Sequence, residues 1–272
     1  MIKDIRFVAM DLDGTLTNSN KDVTPRTRKA IDELRKKGVK IVLASGRPHI
    51  GIKKVAEQLD LDSLGGFIMS YNGGQISEGY NGKCIYKKPI EKVCYKDICE
   101  ACHKFPGVHT LTYDTKDVLC ENDEHKYVKK EAYNCSLEIN KVENLFECVK
   151  NEEIVKFEIV GEHEDLLPVK DYLSDLYPDK LAVFFSEPYF LEVVAPGIAK
   201  DTSLDWLLNE YGCSKDNLVA IGDGLNDLPM LRYAGYSVAM ANGNKKVIEV
   251  ADYVTTSNDE DGVAKYIEEN LL

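Results

Sequence analysis

Apolar residues near the start of the chain fall into two alternating textures. Short continuous runs alternate with longer stretches in which apolar side chains recur three and four positions apart. Ile5-Arg6-Phe7-Val8-Ala9-Met10 reads as a buried strand. Thr24-Pro25 offers an N-cap followed by proline at the first helical position. The helix that follows places Ala30, Ile31 and Leu34 on one face, and Gly38 stops it. Lys40-Ile41-Val42-Leu43-Ala44 is a second strand, 48–59 a second helix, and Phe67-Ile68-Met69-Ser70 a third strand. This βαβαβ order predicts a parallel sheet with helices on both faces.

The same rhythm returns near the C-terminus. Helices are expected at 201–211, 227–233, 245–251 and 261–270, and strands at 218–221, 236–240 and 253–255. Between the two regions the texture changes. Helices are expected near 92–105, 127–133 and 165–176, and strands near 110–113, 155–160 and 181–185. Most of the cysteine lies in this middle stretch. Asn72-Gly73-Gly74 and Pro196-Gly197 flank it as turn and hinge residues. The expectation is an α/β domain at 82–188 inserted into an α/β domain made of 1–81 and 189–272, with no internal repeat.

Composition narrows the picture. The 272 residues are 44% hydrophobic and 29% charged, as in a soluble globular chain. No run of eighteen apolar residues is present, so no membrane span is expected. Met1-Ile2-Lys3-Asp4 leads straight toward the first strand without the apolar stretch and cleavage site of a signal peptide, and a cytoplasmic protein is expected. The eight cysteines then read as free thiols. Cys99 and Cys102 form the one C-x-x-C, on what reads as an amphipathic helix, and no second pair exists to complete a zinc site. The histidines at 49, 103, 109, 125 and 163 show no ligand-pair spacing. A net charge of −12 argues against a nucleic-acid partner, whose footprint is a basic patch. An anionic substrate would need positive charge supplied locally.

Polar motifs sit where the strands end. Asp11-Leu12-Asp13-Gly14-Thr15 follows the first strand, and ligands of open parallel sheets bind at the carboxyl ends of strands. A calcium loop would need glycine where Leu16 stands, and a helix rather than a strand before it. A dinucleotide fingerprint is absent after the first strand. Gly222-Asp223-Gly224 has Asp227 where a third glycine would belong, and no P-loop pattern occurs. Ala44-Ser45-Gly46-Arg47 follows the second strand, and its small-residue turn can hold phosphate oxygens. Lys200 precedes a helix, and Gly222-Asp223-Gly224-Leu225-Asn226-Asp227 follows a later strand. Each motif alone is weak, but all four fall in the right local context.

In this order the motifs resemble the haloacid dehalogenase superfamily of phosphotransferases. The large middle insertion, with Asn72-Gly73 before it, is similar to the Cof-type group with the larger α/β cap (subclass IIB). Asp201 departs from that group, which usually has glycine after the lysine. The resemblance implies a Rossmann-like parallel-sheet core and a Mg²⁺-dependent phosphatase that forms an aspartyl-phosphate. Asp11 would be the nucleophile and Asp13 the general acid and base. Asp11 and Asp223 would ligate Mg²⁺ through carboxylates and Asp13 through its backbone carbonyl, with Asp227 acting mainly from behind them. Ser45, the Gly46 amide, the Leu12 amide, Lys200 and Asn226 would hold phosphate oxygens. Arg47 and Asn72 are candidates for substrate contact or cap closure. The charge argument agrees: two carboxylates about 4 Å apart repel by roughly 4 kcal/mol at an effective dielectric of 20, which a hard cation relieves.

The expected partner is a small phosphorylated metabolite such as a sugar phosphate or a phosphorylated cofactor. No nucleic acid, membrane or obligate protein partner is implied. The insertion would set specificity by closing over the site, because the phosphate and metal motifs all lie outside it. Among rival chemistries, dehalogenases lack the second aspartate, and sugar-phosphate mutases usually carry a smaller helical cap elsewhere. Phosphonate hydrolases use a cap lysine, for which Lys87 or Lys88 would serve. A phosphate-accepting receiver module would be about half this length, and a degenerate sensor would be expected to lose Asp13 or Asp223.

Overall fold

The computed structural model describes residues 4–272. Met1-Ile2-Lys3, part of the stretch read as lacking a leader, lie outside the described residues. The chain forms two compact units, one of Met1–Tyr86 with Ala199–Leu272 and one of Lys87–Ile198.

In chain order the strands are β1 (Phe7–Met10), β2 (Lys40–Ala44), β3 (Phe67–Ser70), β4 (Gln75–Glu78), β5 (Cys84–Lys87), β6 (His109–Tyr113) and β7 (Val118–Cys120). They continue as β8 (Ile139–Lys141), β9 (Lys156–Val160), β10 (Ala182–Glu187), β11 (Phe190–Val194), β12 (Leu218–Gly222), β13 (Tyr236–Ala239) and β14 (Tyr253–Val254).

The first unit is built on an eight-stranded sheet of order β14-β13-β12-β1-β2-β3-β4-β5. From β14 to β3 every pairing is parallel, and β4 then returns antiparallel to β3. β1 lies central and is buried at all of its positions, which explains why it reads as a continuous apolar run. Val8 and Met10 pack on one side with Ile31 and Leu34 of the Pro25–Lys36 helix. Phe7 and Ala9 pack on the other with Leu204, Leu207 and Leu208 of the Lys200–Glu210 helix. Each such leucine or isoleucine contributes about 2 kcal/mol by leaving water. The Pro25–Lys36 helix starts as expected, with the Thr24 side chain accepting the Thr27 amide. The expected 48–59 helix is a 3₁₀ turn, His49–Ile52, running into an α-helix, Lys53–Gln58.

The second unit carries a six-stranded sheet of order β10-β11-β9-β6-β7-β8. Its boundaries differ from the expected 82–188. Residues 82–86 stay with the first unit because β5 extends the first sheet. Residues 189–198 belong to the second because β11 pairs antiparallel with both β10 and β9. Phe157 and Ile159 point to a core shared with Ile98, Val149, Leu166 and Leu173. The helix expected over 92–105 is broken. A 3₁₀ turn, Lys92–Cys94, precedes the helix Tyr95–Cys99, which stops at Glu100 before the short helix Ala101–Lys104. Among the described residues no helix is long and apolar enough to cross a membrane.

Candidate active site

Three strand ends of the first unit bring the motifs together. Asp11 leaves β1 with its amide donating to the Ile221 carbonyl of neighbouring β12, at 3.0 Å. Asp223 and Asp227 follow β12, and Ser45 follows β2. Parallel pairing in register makes these ends coincide, so residues far apart in sequence share one rim.

Lys200 sits at the centre. It is 1% exposed. Its Nζ donates to Asp11 Oδ1 at 2.6 Å, Asp227 Oδ1 at 2.6 Å and the Ala44 carbonyl at 2.7 Å. All three ammonium protons therefore have acceptors. Asp201, the departure from the expected glycine, accepts the Thr202 amide at 2.8 Å in the first helical turn and leaves Lys200's reach intact. Burial alone would push the Lys200 ammonium pKa down, but Asp11 and Asp227 outweigh it and hold the pKa above its ordinary range.

The carboxylates divide by their remaining valences. Asp227 is fully committed: Oδ1 faces Lys200, and Oδ2 accepts the amides of Asp223 at 3.0 Å and Gly224 at 2.9 Å. It shapes the loop and anchors the lysine. Asp223 Oδ1 accepts the Thr15 hydroxyl at 2.6 Å. Among the described residues Asp11 Oδ2 and Asp223 Oδ2 accept no hydrogen bond. Asp11, Asp223 and Asp227 each offer an oxygen within 4.8 Å of the others. Burial raises the Asp11 carboxyl to about 8, and Asp227 and Asp223 add to this while Lys200 opposes it. Burial likewise raises Asp223, against the Thr15 hydrogen bond. A set of hard oxygens with two open positions and excess negative charge fits Mg²⁺, which takes few carboxylates and keeps waters. Gly14 is required here. Its φ is +81°, and a Cβ would stand 2.5 Å from Asp223 Oδ2.

Asp13 lies in the same loop but faces other partners. Arg47 grips it with two parallel bonds, Nε to Oδ2 and Nη2 to Oδ1, both 2.7 Å. Lys21 pairs with Oδ1 as well. Burial would raise the Asp13 carboxyl, but Arg47 and Lys21 overcome that and hold it below the usual range. Arg47, a candidate for substrate contact or cap closure, engages Asp13 and the Gly51 carbonyl with its guanidinium.

The phosphate-binding candidates also gather. The Ser45 hydroxyl accepts the Arg47 amide at 3.1 Å, which leaves its proton to donate elsewhere. Asn72 has φ +54° in the turn after β3 and donates its amide to the Ser45 carbonyl at 2.9 Å. Its side-chain oxygen accepts from Asn226 Nδ2 at 3.3 Å. Among the described residues the backbone amides of Leu12 and Gly46 have no acceptor, so two donors stand open at the rim. Sequence reasoning missed Lys21 and Thr15. Thr15 stood inside the quoted motif without a role, and nothing near Lys21 marks it out, since only the folded loop carries it to Asp13. A cavity of about 610 Å³ at the other end of the sheet, lined by Arg35, Lys40, Phe67 and Tyr211, contains none of these residues. Of the lysines considered for a phosphonate hydrolase, Lys87 pairs with Glu153 at 3.5 Å in the second unit.

Known proteins resemble this chain along nearly its whole length. The sequence profile of haloacid dehalogenase-like hydrolases matches residues 8–267. A 5-amino-6-(5-phospho-D-ribitylamino)uracil phosphatase of Bacillus subtilis is 32% identical, over 99% of this chain and 97% of its own length. The crystal structure of a haloacid dehalogenase-like hydrolase from Bacteroides thetaiotaomicron superposes with a TM-score of 0.88 at 40% identity, over 97% of this chain and 98% of the other. A subclass IIB sugar phosphatase superposes with a TM-score of 0.77 at 26% identity, over 97% and 98% of the two chains.

Proposed function

The chain belongs to the haloacid dehalogenase-like hydrolase family and is a phosphatase of that family, and from that premise we propose that it is a Mg²⁺-dependent phosphomonoesterase that forms an aspartyl-phosphate on Asp11. The observation that carries this reading is the buried Asp11 carboxylate at the end of β1, paired with Lys200 at 2.6 Å and backed by Asp223 and Asp227.

The Asp11 carboxylate attacks phosphorus, and the bond from phosphorus to the ester oxygen breaks. Asp13 gives a proton to that leaving oxygen, which departs as an alcohol. A water then attacks the aspartyl-phosphate. Asp13 takes the water's proton, the bond from phosphorus to Asp11 breaks, and inorganic phosphate leaves. The Ser45 hydroxyl, the Leu12 and Gly46 amides and the Asn226 side chain hold the phosphoryl oxygens through both steps, and Lys200 joins them by exchanging its bond to Asp11 Oδ1 for one to phosphate. Asp11, Asp223 and the Asp13 carbonyl would hold Mg²⁺, which would supply positive charge against the phosphoryl oxygens. Arg47 and Lys21 hold Asp13 ionised in the free enzyme. An arriving phosphate dianion competes for those cations, and Asp13 then takes from solvent water the proton it gives to the leaving oxygen. The substrate is a small phosphomonoester, a sugar phosphate or a phosphorylated cofactor or its precursor. The two relatives just described, one acting on a phosphorylated ribitylaminouracil and one on a sugar phosphate, support this range.

The test is turnover of p-nitrophenyl phosphate. Mg²⁺ should support it, excess chelator should abolish it, and Asp11→Asn should lower it by at least about 10³-fold with the fold intact. Full turnover in chelator, or an Asp11→Asn enzyme above a tenth of wild type, would overturn the proposal.

A further inference from the structure

The break in the helix of the second unit creates a cluster that the chemistry above does not use. Cys99 ends one helix, and Cys102 and His103 lie on the next, Ala101–Lys104. Glu121 follows β7 directly. The Cys102 thiol, a His103 ring nitrogen and a Glu121 carboxylate oxygen all lie within 4.8 Å of one another. His103 Nε2 stands 2.8 Å from Glu121 Oε2, and Cys102 Sγ 3.9 Å from the same oxygen. The other oxygen, Oε1, accepts the Leu145 amide at 2.8 Å, which fixes the carboxylate in orientation.

From these contacts we infer a second metal site, in which Cys102, His103 and Glu121 bind a divalent transition metal of the zinc class. Zinc takes sulfur, nitrogen and oxygen at about 2.0–2.3 Å in a tetrahedron, which sets ligand atoms roughly 3.3–3.7 Å apart. The two separations to Glu121, 2.8 and 3.9 Å, lie on either side of that range, and the thiol and imidazole lie within 4.8 Å of each other, so the ligands would shift by about an ångström to close on an ion. The donor set matters as much as the distances. Thiolate and imidazole select zinc or cobalt over Mg²⁺, which wants oxygen alone. The Leu145 bond to the ligating carboxylate is the kind of outer support that metal ligands use. The alternative is an ion pair between His103 and Glu121 beside a thiol that donates to the Cys99 carbonyl at 3.3 Å; metal binding would replace that thiol bond, and the Glu121 oxygen 3.9 Å away places Cys102 on the same centre as the pair. His103 is half-exposed, which leaves a path for the ion and a fourth corner for water. Binding releases the Cys102 thiol proton to solvent and takes His103 as neutral imidazole. The ion would cross-link the helix after the Glu100 break to the end of β7.

The full-length protein, stripped of metal, is titrated with Co²⁺ and followed by absorption. The expected result is a thiolate-to-cobalt charge-transfer band that saturates at one equivalent and disappears when Zn²⁺ is added. The aspartate cluster of the first unit contains no thiol, so cobalt there cannot give this band, and the outcome is separate from the phosphatase reading. Cys102→Ser should abolish the band. His103→Ala, at an exposed position where the fold should survive, and Glu121→Gln should weaken Zn²⁺ binding by at least about tenfold, since even outer-shell partners cost that much. No band in the wild-type protein would overturn the inference. So would a band that survives Cys102→Ser, or a Zn²⁺ affinity that His103→Ala and Glu121→Gln leave unchanged.

Discussion

Each unit contains a buried lysine surrounded by carboxylates, and only one of them marks a candidate site. Lys200 in the first unit is 1% exposed and Lys156 in the second 4%. Lys200 meets Asp11 and Asp227. Lys156 meets Glu158 at 2.9 Å and Glu192 at 3.6 Å, with Glu131 close by. In both cases burial favours the neutral amine, and the acids overcome it. Position separates them. Lys200 projects from a helix start into the rim where β1, β2 and β12 end, and two carboxylate oxygens there remain open. Lys156, Glu158 and Glu192 sit within paired strands, with Tyr113 bonding Glu131 and Glu158 and the Cys135 thiol bonding Glu131. A perturbed buried cation is therefore only half of a site signal. The other half is unused donor or acceptor capacity at a place a ligand can reach.

Replacing each lysine by methionine tests that contrast most strongly. Either change leaves buried carboxylates without their cation and should cost roughly 3–5 kcal/mol of stability. Lys200→Met should also lower kcat by about 10²-fold or more, as loss of a donor aimed at developing charge does. Lys156→Met should leave kcat nearly as it is wherever the protein remains folded. Steady-state kinetics beside chemical denaturation separates the two effects. Equal losses of kcat would mean that the second cluster takes part in turnover.

A subtler change concerns Asp13. Arg47 and Lys21, not Lys200, hold its carboxylate and keep the pKa below the usual range, and the proposed reaction makes it the proton carrier once substrate draws those cations away. Asp13→Asn should slow an alkyl phosphate about tenfold more than p-nitrophenyl phosphate, because nitrophenolate leaves without protonation. Equal losses on both esters would give Asp13 a role in holding charge instead.

These contrasts were unequally legible in the sequence. β1, β2 and the Pro25–Lys36 helix could be read because each is long or regular enough for its period to show. The rim residues could be read because their motifs follow those strands. The short strands β7 and β8 and the β4–β5 pair carry too little pattern, since neighbours rather than local preference fix them. β11 looks like any buried strand, and its pairing with β9 and β10 assigns it to the second unit. Nothing at Glu100 resembles a helix stop, so the break that joins Cys102 and His103 to Glu121 stayed hidden. Lys156 and Glu158 alternate with Phe157 and Ile159 as a solvent-facing edge would. The structure buries that polar face, and pattern alone cannot distinguish the two outcomes.

A pH-dependent effect distinguishes how the two clusters settle their excess charge. The aspartates of the first unit can take a cation, whereas Glu158 is closed in and must settle its charge with protons. Burial, with Glu131 and Glu192 adding to it and Lys156 opposing, raises the Glu158 carboxyl from 4.5 to about 8. Its Oε1 is buried without a hydrogen-bond partner. The groups facing it are Lys156, Glu192, Glu131 and Tyr113, with Cys135 behind Glu131. A carboxyl whose folded pKa lies above its unfolded one binds more proton in the folded state. Its stabilising contribution is complete below the unfolded pKa and is lost as pH rises toward the folded one. The second unit should therefore weaken between about pH 4.5 and about pH 8, by up to several kcal/mol. Glu158→Gln, which is neutral throughout, should escape that loss. Hydrogen exchange of the β9 amides, compared between variant and wild type at the same pH, measures it directly. The variant's advantage in protection should grow from about pH 5 to about pH 8. A constant or reversed difference would mean that Lys156 keeps Glu158 ionised in the ordinary carboxylate range. The second cluster would then be a settled ion pair, as Lys200 and Asp227 are, and the contrast in how the clusters carry charge would fail.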